Sequence, residues 1–137
     1  MRILFFDSLS STNAYLKNRT PLTPYLGVVA KEQTKGVGRL GRPWHSSENS
    51  LIFSCTLPAK KNFFQAGFSV AHAVLLTFKN FSANQEFQFK WPNDIYHNGK
   101  KLGGILCEKE GNMLIIGVGL NLNQVAFPLD IQEKATS

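Results

Sequence analysis

"LGGILCEKEGNMLIIGVGL", residues 102–120, decides how this chain folds. Two apolar, β-rich runs, 102–108 and 113–120, flank the turn Lys109-Glu110-Gly111-Asn112 and predict an antiparallel hairpin. Just upstream, Asn98-Gly99 is a strong two-residue hairpin turn and joins a short strand at 95–96 to the first run. Before that lie a strand at 87–91 and a Pro92-Asn93-Asp94 turn; Pro92 stops the strand because it has no N–H for the ladder. Residues 65–79 (QAGFSVAHAVLLTFK) carry an apolar face with small residues at helical spacing, and 50–57 (SLIFSCTL) alternate as a strand does. Residues 26–30 and 2–6 read as further strands. Between them, Ser10-Ser11-Thr12-Asn13 offers N-caps for a helix running to about Lys17, which the turn-rich 18–24 ends. Hairpin-linked strands with two helices make an α+β domain, not the alternating rhythm of a doubly wound sheet. One domain over 1–137 is expected, without repeats or low-complexity tracts.

With 137 residues, 43% of them hydrophobic and 18% charged, the chain has the composition of an ordinary globular domain, its core rich in the 11 phenylalanines. Apolar stretches fall well short of the ~20 residues that span a bilayer, and Asp7 interrupts the opening "MRILFF" too early for a signal peptide. A cytoplasmic protein without a membrane partner is the expectation. Cys55 and Cys107 stand 52 positions apart with no C-x-x-C, and His45, His72 and His97 lack ligand spacing; neither a disulfide framework nor a zinc site is predicted. The net charge of +6 suits an acidic or phosphorylated partner. Its basic residues are dispersed as Lys31/Lys35/Arg39/Arg42, Lys60-Lys61 and Lys100-Lys101, too scattered for a nucleic-acid surface.

Three polar constellations sit on this scaffold. The loop "KGVGRLGRPWHSS", 35–47, contains a literal G-x-G-x-x-G at 36–41, but a dinucleotide fingerprint must open a helix and be followed by an acidic residue about 20 positions on. Arg42-Pro43-Trp44 is poor material for that, and no such acid follows a second strand. What remains is a loop with free backbone N–H groups, the guanidinium forks of Arg39 and Arg42, and the Trp44 indole: an anion-holding loop, or a plain solvated one. "KWPND", 90–94, places Lys90 at a strand end, where it can offset developing negative charge or simply face water. Asp94 can hold Mg²⁺ through water or cap the turn. In the third, Gly103 and Gly104 on one strand and Gly117 and Gly119 on the next mark close approach by a ligand or backbone, with Asn121 able to read a polar edge.

Taken together, Ser11-Thr12-Asn13, the loop from Gly36 to Ser46, Lys90 to Asp94, Lys101 to Ile105 and Gly117 to Asn121 resemble, in order, the catalytic domain of the biotin protein ligases. The resemblance implies a ligase-like, class II synthetase-like core: a mixed, largely antiparallel sheet with helices on one side. It implies an enzyme that joins biotin to ATP as biotinyl-5′-AMP, with Mg²⁺, and transfers biotin to a lysine of a biotin carboxyl carrier domain. By analogy Ser11, Thr12, Asn13, Gln33, Gly36, Gly38, Arg39, Gly103 and Gly104 would receive biotin. Arg39, Arg42, Trp44, Lys90, Asn93 and Asn121 would serve the nucleotide, with Lys90 and Arg39 catalytic and Asp94 the metal residue. A homodimer is in keeping with the family, and nucleic-acid binding is not expected, since the amino-terminal DNA-binding domain of repressor-type relatives is missing.

Two departures stand out. The family loop reads Gly-Arg-Gly-Arg-x-Gly, whereas Val37 replaces the first arginine here, leaving Lys35 as its nearest substitute. The chain also stops at "DIQEKATS", short of the family's carboxyl-terminal barrel, and reads as truncated. The rivals are a lipoate or octanoyl transferase and a binding module without turnover; octanoyl transferases use a cysteine nucleophile that follows the last strand, whereas Cys107 precedes it inside an apolar strand, where a core role suits it.

Overall fold

The computed structural model describes residues 1–47, 49–59, 65–81 and 85–137; the Lys60-Lys61 pair lies outside them. Seven strands form one sheet: β1 (Arg2–Leu9), β2 (Leu26–Gln33), β3 (Ser50–Pro58), β4 (Phe87–Lys90), β5 (Asp94–His97), β6 (Lys100–Glu110) and β7 (Met113–Asn121). Helix α1 (Thr12–Lys17) connects β1 to β2, and α2 (Ala66–Phe81) connects β3 to β4. The spatial order is β1-β2-β3-β7-β6-β5-β4. Among the strand pairs of the described residues, β1–β2, joined through α1, is parallel and the others are antiparallel. The expected mixed, largely antiparallel sheet is therefore what the chain forms. Among the described residues no helix is long and apolar enough to cross a membrane.

The turns obey local chemistry. Asn98 and Gly99 both take positive φ between β5 and β6, as does Gly111 between β6 and β7, which is what tight hairpins demand. β4 stops at Lys90, so Trp91, expected within the strand, sits exposed at the turn.

The helices do not share one side of the sheet, contrary to expectation. Successive strand residues point to opposite faces. Ile115 packs with Leu16 of α1, whereas its neighbour Ile116 packs with Ala71 of α2. On β6, Cys107 lies beneath α2, where a Cβ on Gly67 would stand 3.8 Å from its Sγ. The larger core, with Ile95, Ile105, Leu114, Val118 and Leu120, belongs to the α2 face. α1 leaves part of the other face open, and most of the residues expected at a site gather there.

Candidate functional site

Ser11, Thr12 and Asn13 are all buried although none is apolar. Ser11 caps α1, its Oγ accepting from Ala14 N at 3.3 Å. The Thr12 backbone N donates to Gln33 Oε1 at the end of β2 at 2.7 Å, and Thr12 Oγ1 lies 3.0 Å from the same oxygen. Ser54 on β3 lies 2.6 Å from both Thr12 Oγ1 and Asn13 Oδ1. Asn13 Nδ2 donates to Glu108 Oε2 at 2.9 Å, and Glu108 Oε1 pairs with Lys17 Nζ at 2.8 Å. Asn13 fits because residue 117 is glycine: a Cβ there would stand 2.4 Å from its Oδ1.

The glycine–arginine loop folds back on itself. Trp44 N donates to Gly36 O at 2.9 Å and Gly38 N to Arg42 O at 2.8 Å, with a 3-10 turn at Arg39–Gly41 forming the tip. Gly36 admits no side chain, since a Cβ would come within 2.5 Å of Trp44 O. Ser46 Oγ accepts from Gln33 N at 3.0 Å and fastens the base of the loop. At the tip, Arg39 Nη1 donates to Asn93 Oδ1 at 3.3 Å, so the loop bridges to the turn after β4. The Trp44 indole lies on the sheet, where a Cβ on Gly119 would approach it to 2.6 Å and one on Gly104 to 3.6 Å. Its Nε1 is buried without a partner among the described residues.

Between α1, the loop and the sheet lies a cavity of about 490 Å³, within the range of small-molecule sites. One end presents hydroxyls and amides from Ser11, Thr12, Asn13, Gln33 and Ser54; the other presents Arg39, Arg42, Asn93 and Asp94. Such a space suits an elongated ligand with a polar, uncharged head and an anionic tail. Asp94 is held 2.9 Å from Lys101 Nζ, which also stands 5.7 Å from the centre of the Trp44 ring. Among the described residues no group of three or more His, Cys, Asp or Glu is placed to hold a metal ion.

Residues 5–122 match the model of the biotin/lipoate A/B protein ligase family. The chain belongs to this family. It is 37% identical to the bifunctional ligase/repressor BirA of Bacillus subtilis over 98% of its own length and 45% of that protein. Among solved structures, the Aquifex aeolicus biotin protein ligase in complex with biotin and ATP aligns at a TM-score of 0.90 and 35% identity, covering 98% of this chain and 58% of that one. The Leishmania major enzyme in complex with biotinyl-5-AMP aligns at 0.80 and 31%, over 98% and 62%. The chain thus spans about half the length of these ligases.

Of the residues expected at a ligase site, Ser11, Thr12, Asn13, Gln33, Gly38, Arg39, Arg42, Trp44, Asn93, Asp94 and Gly104 line the cavity, as does Val37. Four others are elsewhere. Gly103 faces α2, pressed against Leu120, because it neighbours Gly104 on the strand and must point the other way. Gly36 shapes the loop from behind. Asn121 is buried but donates from Nδ2 to Thr136 O, so it serves the carboxyl-terminal segment that runs alongside Lys101. Lys90 pairs with Asp94 in register at the sheet edge, and its ammonium rests 3.4 Å from the Tyr96 hydroxyl, outside the cavity wall.

Ser54, Glu108 and Ile131 had not been anticipated. Ser54 had a signal, since Ser54 and Thr56 alternate with apolar residues and thus share a face. Glu108 pairs across 91 positions with Lys17, which no local pattern announces.

Proposed function

We propose that this chain activates biotin with ATP and transfers the biotinyl group to one lysine of a biotin carboxyl carrier domain. The observation that carries the reading is the cavity itself: a neutral hydrogen-bonding end and an arginine-lined end on one sheet face, in a chain so similar to a ligase solved with biotin and ATP. In the first step a carboxylate oxygen of biotin attacks the α-phosphorus and pyrophosphate leaves. In the second, the lysine amine attacks the acyl carbon and AMP leaves.

Ser11, Thr12 and Gln33 receive the ureido ring. Arg39 and Arg42 offset the repulsion between two anions and the charge gathering at phosphorus. The loop, already bridged from Arg39 to Asn93, keeps water from the anhydride. Lys90 reaches the same junction by swinging its four-carbon stem away from Tyr96. Trp44 lies over the sheet glycines and forms the floor along which the ligand extends. Magnesium arrives with the nucleotide: the cavity lining supplies one carboxylate, Asp94, already neutralised by Lys101, which does not fit a resident metal site. The net charge of +6 favours an acidic carrier domain, and two free cysteines accord with a reducing cytoplasm.

A cysteine-based octanoyl transfer does not fit. Cys107 lies on the α2 face, away from the cavity, and burial, reinforced by Cys55, pushes its thiol up to about 11. The second reading, binding without turnover, draws on Lys90 resting over Tyr96. Biotin-dependent exchange of labelled pyrophosphate into ATP separates them, with lipoate and octanoate as comparators. Exchange with biotin alone is expected, and its abolition by Lys90→Ala with the fold intact. Exchange with lipoate but not biotin would overturn the substrate; saturable biotin binding without exchange would favour the binding module.

A further inference from the structure

Two hydroxyl protons serve three contacts at the neutral end of the cavity. Ser54 Oγ touches Thr12 Oγ1 and Asn13 Oδ1, both at 2.6 Å, and Thr12 Oγ1 touches Gln33 Oε1 at 3.0 Å. Each hydroxyl has a single proton to donate, so one contact must go without. Glu108 decides which. Its Oε2 takes the Asn13 Nδ2 hydrogen at 2.9 Å, and an ionised carboxylate can only accept. Burial is the largest single influence on this carboxyl and opposes ionisation. The hydrogen bonds from Lys17 and Asn13, with the attraction of Lys17, together prevail and hold it below the ordinary carboxylate range.

Asn13 must therefore turn Oδ1 toward Ser54, and Ser54 must donate to it. Ser54 then has only lone pairs left for Thr12, and a separation of 2.6 Å requires a proton between the two, supplied by Thr12. The longest contact, Thr12 to Gln33, is left as two oxygens facing each other. Gln33 Oε1 has the Thr12 backbone N–H at 2.7 Å, but with the Ser54 proton committed to Asn13 no donor among the described residues reaches Thr12 Oγ1. An N–H brought in from the cavity between these two oxygens completes the chain.

We infer that Glu108, acting through Asn13 and Ser54, sets the donor–acceptor polarity of Thr12 and Gln33 so that the cavity selects an acyl ligand whose head carries N–H groups, as a cyclic urea does, over one whose head carries none, as a dithiolane does. The inference rests on the ligase reading above. Glu108 is a positioning residue: it lines the adjoining depression with Lys17 and Lys35, not the cavity wall, and touches no reacting atom.

Glu108→Gln tests it. An amide can donate as well as accept, so Asn13 is free to turn over and donate to Ser54. Ser54 then donates to Thr12, and Thr12 to Gln33; every contact is satisfied and no ligand N–H is called for. Calorimetric binding of biotin and lipoate to the full chain at pH 8 should show biotin weakened about tenfold, the scale of one hydrogen bond, with lipoate unchanged. In pyrophosphate exchange the loss should fall on the KM for biotin, not on kcat. Lys17→Met removes the ion pair yet leaves an acceptor-only carboxylate, and should keep the full preference. A purely structural ion pair would make the two variants behave alike, and that result would overturn the inference. Should Glu108→Gln fail to fold, Ser54→Ala returns the Thr12 proton to Gln33 and should narrow the same preference; an unchanged preference there would also overturn it. Absence of biotin binding by the unaltered chain would instead strike the ligase reading, so the two failures are distinguishable.

Discussion

On β7, Leu114, Ile116, Val118 and Leu120 point toward α2, while Ile115, Gly117 and Gly119 point toward α1 and the cavity. The strands on either side repeat the division: Cys55, Ile105 and Cys107 join the α2 core, opposite Ser54, Gly104 and Glu108. The same backbone thus serves two purposes, separated by the two-residue period of a strand. Under α2 what counts is volume present. Toward the cavity what counts is volume withheld, because Asn13 lies where a side chain on residue 117 would be and the Trp44 indole where one on residue 119 would be.

The largest effect should come from the filled face. Ile116 is buried in the α2 core, and Ile116→Ala should cost about 2–5 kcal/mol of stability, the sum of lost transfer energy and the cavity left behind. Denaturant unfolding measures this, with biotin affinity of the folded protein expected to stay as it was. A cost well under 1 kcal/mol would mean that this face is not the one that holds the fold together.

Gly119→Ala should do the reverse. The added methyl would stand 2.6 Å from the Trp44 ring, so the indole must move and the loop that carries it must follow. Pyrophosphate exchange should fall about 100-fold, the penalty of a misplacement near 1 Å, with little change in the unfolding midpoint. Tryptophan fluorescence reports the displaced ring. Normal exchange with a displaced ring would show that the floor position of Trp44 has no part in the chemistry.

Much of this division was legible beforehand. Residues 50–57 and 102–120 announce strands by alternation and turns by Gly111 and Asn98-Gly99, because local sterics alone fix those features. The period of two also bears on Gly103 and Gly104: adjacent strand residues cannot both face one ligand, and Gly103 indeed faces Leu120. The side on which each helix lies was not legible, since it depends on which face each connection crosses. Nor was the reach of Lys90, whose flexible stem settles over Tyr96, or the use of Asn121 to hold Thr136. These are long-range outcomes of packing, and no spacing of a few residues encodes them.

The smallest effect belongs to the rim of the cavity face, where Lys17 meets Glu108. The Lys17 ammonium is raised from its ordinary 10.5, first by its hydrogen bond to Glu108 and then by the attraction of that carboxylate. Its stabilisation is therefore complete below 10.5 and is lost as pH climbs through the raised value. Glu108 is held below its ordinary 4.5 despite burial, so its share is complete above 4.5 and disappears as pH falls through the depressed value. Because Lys17 is largely exposed, solvent screening limits the pair to about 0–1 kcal/mol. Unfolding of Lys17→Met beside the unaltered chain should show a small, level deficit across the middle of this range that closes toward both ends. A deficit comparable to that of Ile116→Ala would mean that a rim ion pair carries as much stability as a buried core side chain, and the contrast between the two positions would fail.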